Sequence, residues 1–234
     1  ALARAARGCG NQIWVAAGIY SPGHKTTDTF EISDGIEVYG GFAGTEPPTL
    51  DPNDRNLTKY KSILTGYIDE DDENDKIVSA SYDTILDGFW IKEGYWGIYC
   101  TGSNFGIRNC IIENNVRYGL YCNNASIKVG WCIIRSNGYD GIYSSGSGKN
   151  LTVNNSIISY NGENGIYCFN STPTIKNSMI FYNGEDGTVY YGVKLQNPWD
   201  APVVRNCTIA DNINEGIYYT GSHAPDISNS VIWH

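Results

Sequence analysis

From Trp90 to His234 the chain repeats one short phrase. Gly-aliphatic-Tyr occurs at Gly97-Ile98-Tyr99, Gly119-Leu120-Tyr121, Gly141-Ile142-Tyr143, Gly165-Ile166-Tyr167 and Gly216-Ile217-Tyr218, with a weaker copy at Gly192-Val193-Lys194. A second phrase lies between the copies, as in Ile107-Arg108-Asn109-Cys110-Ile111-Ile112 and Val153-Asn154-Asn155-Ser156-Ile157-Ile158. Its copies begin at residues 107, 129, 153, 175, 204 and 227, which are 22, 24, 22, 29 and 23 residues apart. The long step holds an insertion, Gln196 to Pro202. A fixed period in this range specifies a solenoid, in which each repeat buries its apolar face only against its neighbours.

The repeat unit is short, β-branched and punctuated by Asn and Gly. It has no helix-length run with apolar spacing of three and four, so it holds short strands and turns. Alternation puts Ile98 and Cys100 on one face and Tyr99 on the other. Stacked copies align Ile98, Leu120, Ile142, Ile166, Val193 and Ile217 inside, beside an inner file of Cys100, Cys122, Ser144 and Cys168. In the second phrase the inner residues are Ile107, Cys110 and Ile112. The odd step from 107 to 110 requires a bend near Asn109. Asn115, Asn137, Asn161, Asn183 and Asn212 form another file. Asn tolerates left-handed backbone, and its amide bonds the rungs above and below, so this file marks a turn. Identical strands stacked about 4.8 Å apart give a coiled parallel β-structure of about nine rungs. A leucine-rich repeat shares the period, but it needs Leu-rich strands and usually a helical return leg. Leu is scarce here.

These rungs resemble the right-handed parallel β-helix repeat proteins of the pectin-lyase-like superfamily, of the secreted bacterial type. The N-terminal third is similar to the segment that precedes such repeats, in Ile13-Trp14-Val15-Ala16-Ala17-Gly18-Ile19-Tyr20, Ile36 to Glu46, Ser62 to Gly66 and Leu86 to Phe89. The resemblance implies an all-β fold: a right-handed, single-stranded parallel β-helix. The superfamily contains lyases, hydrolases, epimerases, adhesins and binding modules, so the likeness specifies fold and leaves function open.

We expect one β-helix domain over 1–234. Residues 1–76 supply an N-terminal cap and irregular rungs with loops, and 77–234 the regular rungs. Residues 1–12 read as a short helical cap, and 13–20 as the first strand. The chain begins without Met and stops within a repeat, and reads as part of a longer protein. A net charge of −9 with pI near 4.7 argues against nucleic acid as a partner. No run is apolar enough for membrane insertion. Six of the seven Cys sit in repeat files where Ser substitutes for them, which points to small buried thiols rather than bridges.

Four groups are candidates for function. The first is Asp69-Glu70-Asp71-Asp72-Glu73-Asn74-Asp75, six carboxylates in seven residues. Asp69, Asp71, Glu73 and Asp75 are hard oxygen ligands suited to Ca2+, the one candidate cofactor; a solvated acidic loop is the plainer reading. The second is an outward file of Tyr99, Tyr121, Tyr143 and Tyr167, with Tyr218 resuming after Lys194. It can lie under a sugar chain, although Tyr also favours strands and self-stacks. The third is an outward apolar file, Ile111, Ile133, Ile157, Met179 and Val231. It marks an assembly surface or reflects β-propensity alone. The fourth lies at the turns before each Gly-aliphatic-Tyr: Arg117, Asp140, Glu163, Glu185, Asp186 and Glu215, with Lys92, Glu93, Arg108 and Arg135 nearby. The resemblance implies that an enzyme would set Ca2+ on acidic residues with an Arg or Lys base, or place Asp on adjacent rungs. Asp140 and Glu163 are one place out of register, and no Ser-His-Asp or Cys-His pairing is visible. The expected role is a non-catalytic module, secreted or on a cell surface, that binds carbohydrate or assembles with other copies of itself or with parent-protein domains. A polysaccharide lyase or glycoside hydrolase is the alternative. A cleft walled by loops 43–61 and 67–76 would favour the enzyme.

Overall fold

The computed structural model describes residues 11–47, 49–67, 75–80, 82–102, 104–185 and 189–233. Three parallel sheets run the length of the molecule. Sheet A has nine strands, from Gln12–Ala16 to Asp226–Ser228. Sheet B has nine, from Gly18–Tyr20 to Val231–Ile232, and sheet C has eight, from Phe30–Ile32 to Ile217–Thr220. One turn of the coil passes through Asn104–Arg108 in sheet A, Ile111–Glu113 in sheet B and Leu120–Asn123 in sheet C, then rises to Ser126–Gly130. The nine rungs and their register follow the sequence repeat: Leu120 lies beside Ile98 and Ile142, and Tyr121 beside Tyr99 and Tyr143.

The period of two decides the core. Ile98, Leu120, Ile142, Ile166 and Val193 are fully buried, while Ile217 on the last rung of sheet C is partly buried. Each fully buried aliphatic side chain contributes about 1.5–3 kcal/mol. The six described cysteines are free and buried. The sulfurs of Cys100 and Cys122 lie 3.2 Å apart on adjacent rungs. Burial and the neighbouring Cys100 raise the Cys122 pKa, which keeps the thiol protonated.

Two corners carry the repeat's Asn. Between sheets A and B a single left-handed residue turns the chain: Asn109, Asn155, Asn177, Asn206 and Asn229 all have φ between 48° and 54°. The bend expected near Asn109 is therefore real. Between sheets B and C the Asn file folds inward as a hydrogen-bonded ladder. Nδ2 of Asn115 donates to Asn137, Asn137 to Asn161, Asn161 to Asn183 and Asn183 to Asn212, each at 2.9 Å to Oδ1. The ladder satisfies buried amides that would otherwise cost free energy unpaired.

The N-terminal expectations need correction. A helical cap over 1–12 is not found: residues 1–10 lie outside the described residues, and Gln12 already pairs with Glu37 in sheet A. The strand wins because Ile13 and Val15 alternate with Trp14 at the strand period, and pairing extends sheet A by one rung. The single strand expected over 13–20 is two, Gln12–Ala16 and Gly18–Tyr20, in different sheets. Among the described residues the only helical turn is the 3-10 turn Pro52–Asp54. It sits in loop 43–61, which Arg55 pins down. Arg55 pairs with the buried carboxylate of Asp87, which also takes Arg108, and its guanidinium lies 5.1 Å from the Tyr39 ring centre.

Candidate functional site

Sheet C displays the densest aromatic surface of the molecule. Its outward file runs Tyr99, Tyr121, Tyr143, Tyr167, Lys194 and Tyr218, in register from rung to rung. The rings do not lie flat on the sheet. Tyr99 and Tyr121 stack with centroids 5.5 Å apart and planes 5° apart, and Tyr121 and Tyr143 at 4.9 Å and 10°. Trp96 lies against this pair, its ring 5.3 Å from Tyr99 and 5.5 Å from Tyr121 and nearly parallel to both. Each ring face is covered by the next ring, so the surface offered outward is a row of ring edges and hydroxyls. The stack breaks at Tyr167, which meets Tyr143 edge-on at 81° and donates from its hydroxyl to Gln196 Oε1 at 2.6 Å. Cations close both ends: Lys76 Nζ lies 4.8 Å from the Tyr99 ring centre, and Lys194 Nζ 4.7 Å from that of Tyr167. Tyr218 resumes the file on the far side of Lys194 and stacks on Tyr191 at 4.5 Å.

The turns that enter sheet C add a second aromatic bank that the sequence reading passed over. Arg117 is held between two rings, 4.5 Å from Tyr95 and 5.1 Å from Tyr139. Tyr118 packs against Tyr121, Tyr139 and Tyr143. The spacing of Tyr95, Arg117 and Tyr139, 22 residues each, is the repeat period itself and would have revealed the bank.

Behind this bank sit the acidic candidates. Asp140 is 1% exposed. Its Oδ1 accepts from Asn164 twice, from the backbone N at 2.9 Å and from Nδ2 at 2.7 Å. Burial raises its pKa to about 7, against the lowering effect of the Asn164 bonds and with help from the Glu163 charge. Glu163 is also raised by burial, and Tyr190 donates to its Oε1 at 3.1 Å. Burial, and then the charges of Asp140 and Glu163, keep the Tyr118 hydroxyl protonated. The outlying bases are engaged elsewhere: Lys92 with Glu93 at 2.8 Å, Arg135 with Glu113 at 2.7 Å, and Arg108 with Asp87. Glu215 adjoins Tyr191 and raises its pKa, after burial. Glu185 has a partner of its own, and Asp186 lies outside the described residues.

Of the acidic run, Asp69, Asp71 and Glu73 lie outside the described residues. Asp75 is exposed at the foot of the ladder, its N donating to Thr26 O at 2.7 Å and its O accepting from Trp96 N at 2.9 Å. No group of three His, Cys, Asp or Glu among the described residues is arranged to hold a metal ion. Loop 43–61 folds against sheet A through Arg55 and Asp87, so it walls no cleft on sheet C. The apolar file is in register along sheet B, with Ile111, Ile133 and Ile157 half-buried and Met179 and Val231 exposed. Thr208 interrupts it between the last two.

Three parallel sheets coiled around one aliphatic core, with an Asn ladder at one corner, define a pectin-lyase-like β-solenoid. Residues 96–234 match the family model described as the right-handed β-helix region, and the chain belongs to that family. Among solved structures, the pectate lyase Pel9A is similar with a TM-score of 0.65 and 16% identity, over 86% of this chain and 55% of the lyase. The chain thus spans little more than half the length of that enzyme, and at this identity the likeness concerns the fold. The A-module of the mannuronan C-5 epimerase AlgE4 from Azotobacter vinelandii matches with a TM-score of 0.36 and 12% identity, over 87% of this chain and 70% of the module. No curated protein matches the chain in sequence.

Proposed function

We propose that the chain is a non-catalytic, extracellular carbohydrate-binding module whose ligand face is the outer surface of sheet C. The observation that carries this reading is the stacked ladder Tyr99–Tyr121–Tyr143 with Trp96 against it, in a file that bears Lys76 on Tyr99 and Lys194 on Tyr167. Phenol hydroxyls recur at the rung spacing of about 4.8 Å, close to the length of one sugar residue in an extended chain. A polysaccharide lying along the solenoid axis meets one hydroxyl per rung, with its C–H faces against ring edges. Because the rings already stack on one another, the face is ordered before the ligand arrives, and little side-chain freedom is lost on binding. The Tyr95–Arg117–Tyr139 bank gives the face a second, rigid wall.

The alternative, a lyase or hydrolase of extracellular polysaccharide, draws on Asp140 and Glu163, two carboxyls shifted toward neutral pH at the edge of the same face. Against it, Asp140 is sealed from solvent and its Oδ1 is doubly bonded to Asn164. One experiment separates the two. The protein is incubated with a panel of polysaccharides, with and without Ca2+, and both retention and product are measured. Retention without unsaturated product or new reducing ends supports the binding module. Product supports the enzyme, and no retention on any polysaccharide removes the carbohydrate reading.

A further inference from the structure

The three sheets present three different outer chemistries on the same backbone geometry. The central outward file of sheet A is mixed, with Glu37, Ile85, Gly106, Lys128, Thr152, Thr174, Val203 and Asp226 in register. That of sheet C is aromatic. That of sheet B is a ridge without a charged residue, from Ile19 through Ile63 and Trp90 to Val231, interrupted by Thr208 alone. Ile19 is 72% exposed, Met179 46% and Val231 60%. β-Propensity alone would favour the same residues equally on sheet A, where only Ile85 and Val203 are of this kind, so the ridge reflects a demand peculiar to sheet B.

Backbone conformation points the same way. Trp131, on the corner beside the ridge, has φ of +52°, at the turn position that Asn fills in the neighbouring rungs. It is 63% exposed. On the opposite corner Tyr160 and Tyr182 have φ of +57° and +53°, and both are exposed. A bulky side chain in this region costs about 1–2 kcal/mol relative to ordinary backbone. Three such residues border one face; Tyr160 and Tyr182 lean on each other at 5.2 Å and on Phe181, and all three stay exposed. Strain held at exposed aromatics marks a contact site.

We infer that sheet B is the interface through which two copies of this chain pack face to face and antiparallel. Apart from Thr208, and Lys61 Nζ 4.7 Å from the Trp90 ring centre, the ridge offers aliphatic and aromatic surface, so it suits an apolar partner rather than a glycan. The molecule carries a net charge of −9, and sheet B is the one whose central file holds no charged residue, against Glu37 and Asp226 on sheet A and Glu31 on sheet C. Sheet faces pack about 10 Å apart. Full overlap of the nine rungs requires a two-fold axis along the strand direction at the fifth rung, which carries Ile133 and Trp131. That axis brings Trp131 of the two copies together and sets Trp90 against Met179 of the other copy, a favourable sulfur–aromatic pair. Arg135 then faces its own counterpart, but each is neutralised by Glu113 at 2.7 Å. Eight rung spacings of about 4.8 Å and a face about 16 Å wide bury about 1,200 Å² in total, within the range of stable interfaces.

Light scattering on the full chain over a concentration series tests the inference, with Trp131→Asn, Ile133→Lys and, as a control on sheet A, Thr152→Lys. The expected result is a closed dimer for the parent and for Thr152→Lys, and a monomer for Ile133→Lys. Trp131→Asn installs the residue used at this turn elsewhere, so it relieves backbone strain. It should melt no lower than the parent when both are dilute, yet raise the dimer dissociation constant at least tenfold. This variant separates a lost interface from a damaged fold. A parent that stays monomeric up to about 1 mM, open filaments in place of a dimer, or a Trp131→Asn dimer of unchanged affinity would overturn the inference.

Discussion

Asn164 donates twice to a single oxygen of Asp140, through its backbone N at 2.9 Å and its Nδ2 at 2.7 Å, across adjacent rungs. The arrangement holds a carboxyl in place but leaves it buried. Folding therefore raises its pKa from an ordinary carboxylate value to about 7. A carboxyl raised on folding stays protonated in the native state where the unfolded chain has already released its proton. Its contribution to stability is complete below about pH 4 and is lost as the pH climbs to about 7. Asp140 should thus lower stability across that window by roughly 4 kcal/mol. Asp140→Asn keeps an oxygen for Asn164 and removes the titration. Urea unfolding at several pH values should give a flatter profile for the variant and a gain over the parent above pH 7. Parallel profiles for the two proteins would refute this assignment.

The Asn ladder should be the costliest polar feature to interrupt. Asn161 Oδ1 accepts from the N and Nδ2 of Asn137, and its Nδ2 donates to Asn183. Asn161→Ala strands these buried groups without partners and should cost roughly 3–5 kcal/mol. Lys128→Ala, at an exposed position on sheet A, should change stability by less than about 0.5 kcal/mol. Comparable losses in denaturant melts would show that the ladder is not a special source of stability.

Calcium remains a proposal resting on the carboxylates of Asp69, Asp71, Glu73 and Asp75. Asp75 bridges the backbone to Trp96, so ion binding there would brace the foot of the aromatic ladder. Added Ca2+ should raise the melting temperature and EDTA should lower it, and Asp71→Asn with Glu73→Gln should abolish the difference. Melting temperatures that ignore both additions would remove the metal.

The repeat made much of this molecule legible. The files Ile98–Ile217 and Cys100–Cys168, the bend at Asn109 and the Asn115–Asn212 ladder follow from stacking equivalent residues, because parallel in-register pairing leaves one choice of neighbour. The first twenty residues were harder. Outside the repeat no second copy disciplines the reading, and the cap expected over 1–12 runs into Gln12, which begins a strand. The candidate site was half legible. Period two placed Tyr99, Tyr121, Tyr143 and Tyr167 outward, but it could not say that the rings would close on each other rather than lie flat. That depends on χ angles and rung spacing. The 22-residue spacing of Tyr95, Arg117 and Tyr139 was open to view, but turn side chains have no fixed direction in sequence, so their packing on one another was not.

The most direct test is affinity electrophoresis of the parent and the Tyr121→Ala, Tyr143→Ala double variant through gels cast with the polysaccharide that retains the parent. These two residues form the centre of the ladder, with half-exposed rings and no role in the core. Losing both stacked rings should weaken binding by roughly 5- to 150-fold, about 1–3 kcal/mol for the pair, with an unchanged far-UV spectrum. Equal retardation of the two proteins would mean that the ligand does not lie on sheet C, and the aromatic ladder would be a structural stack alone.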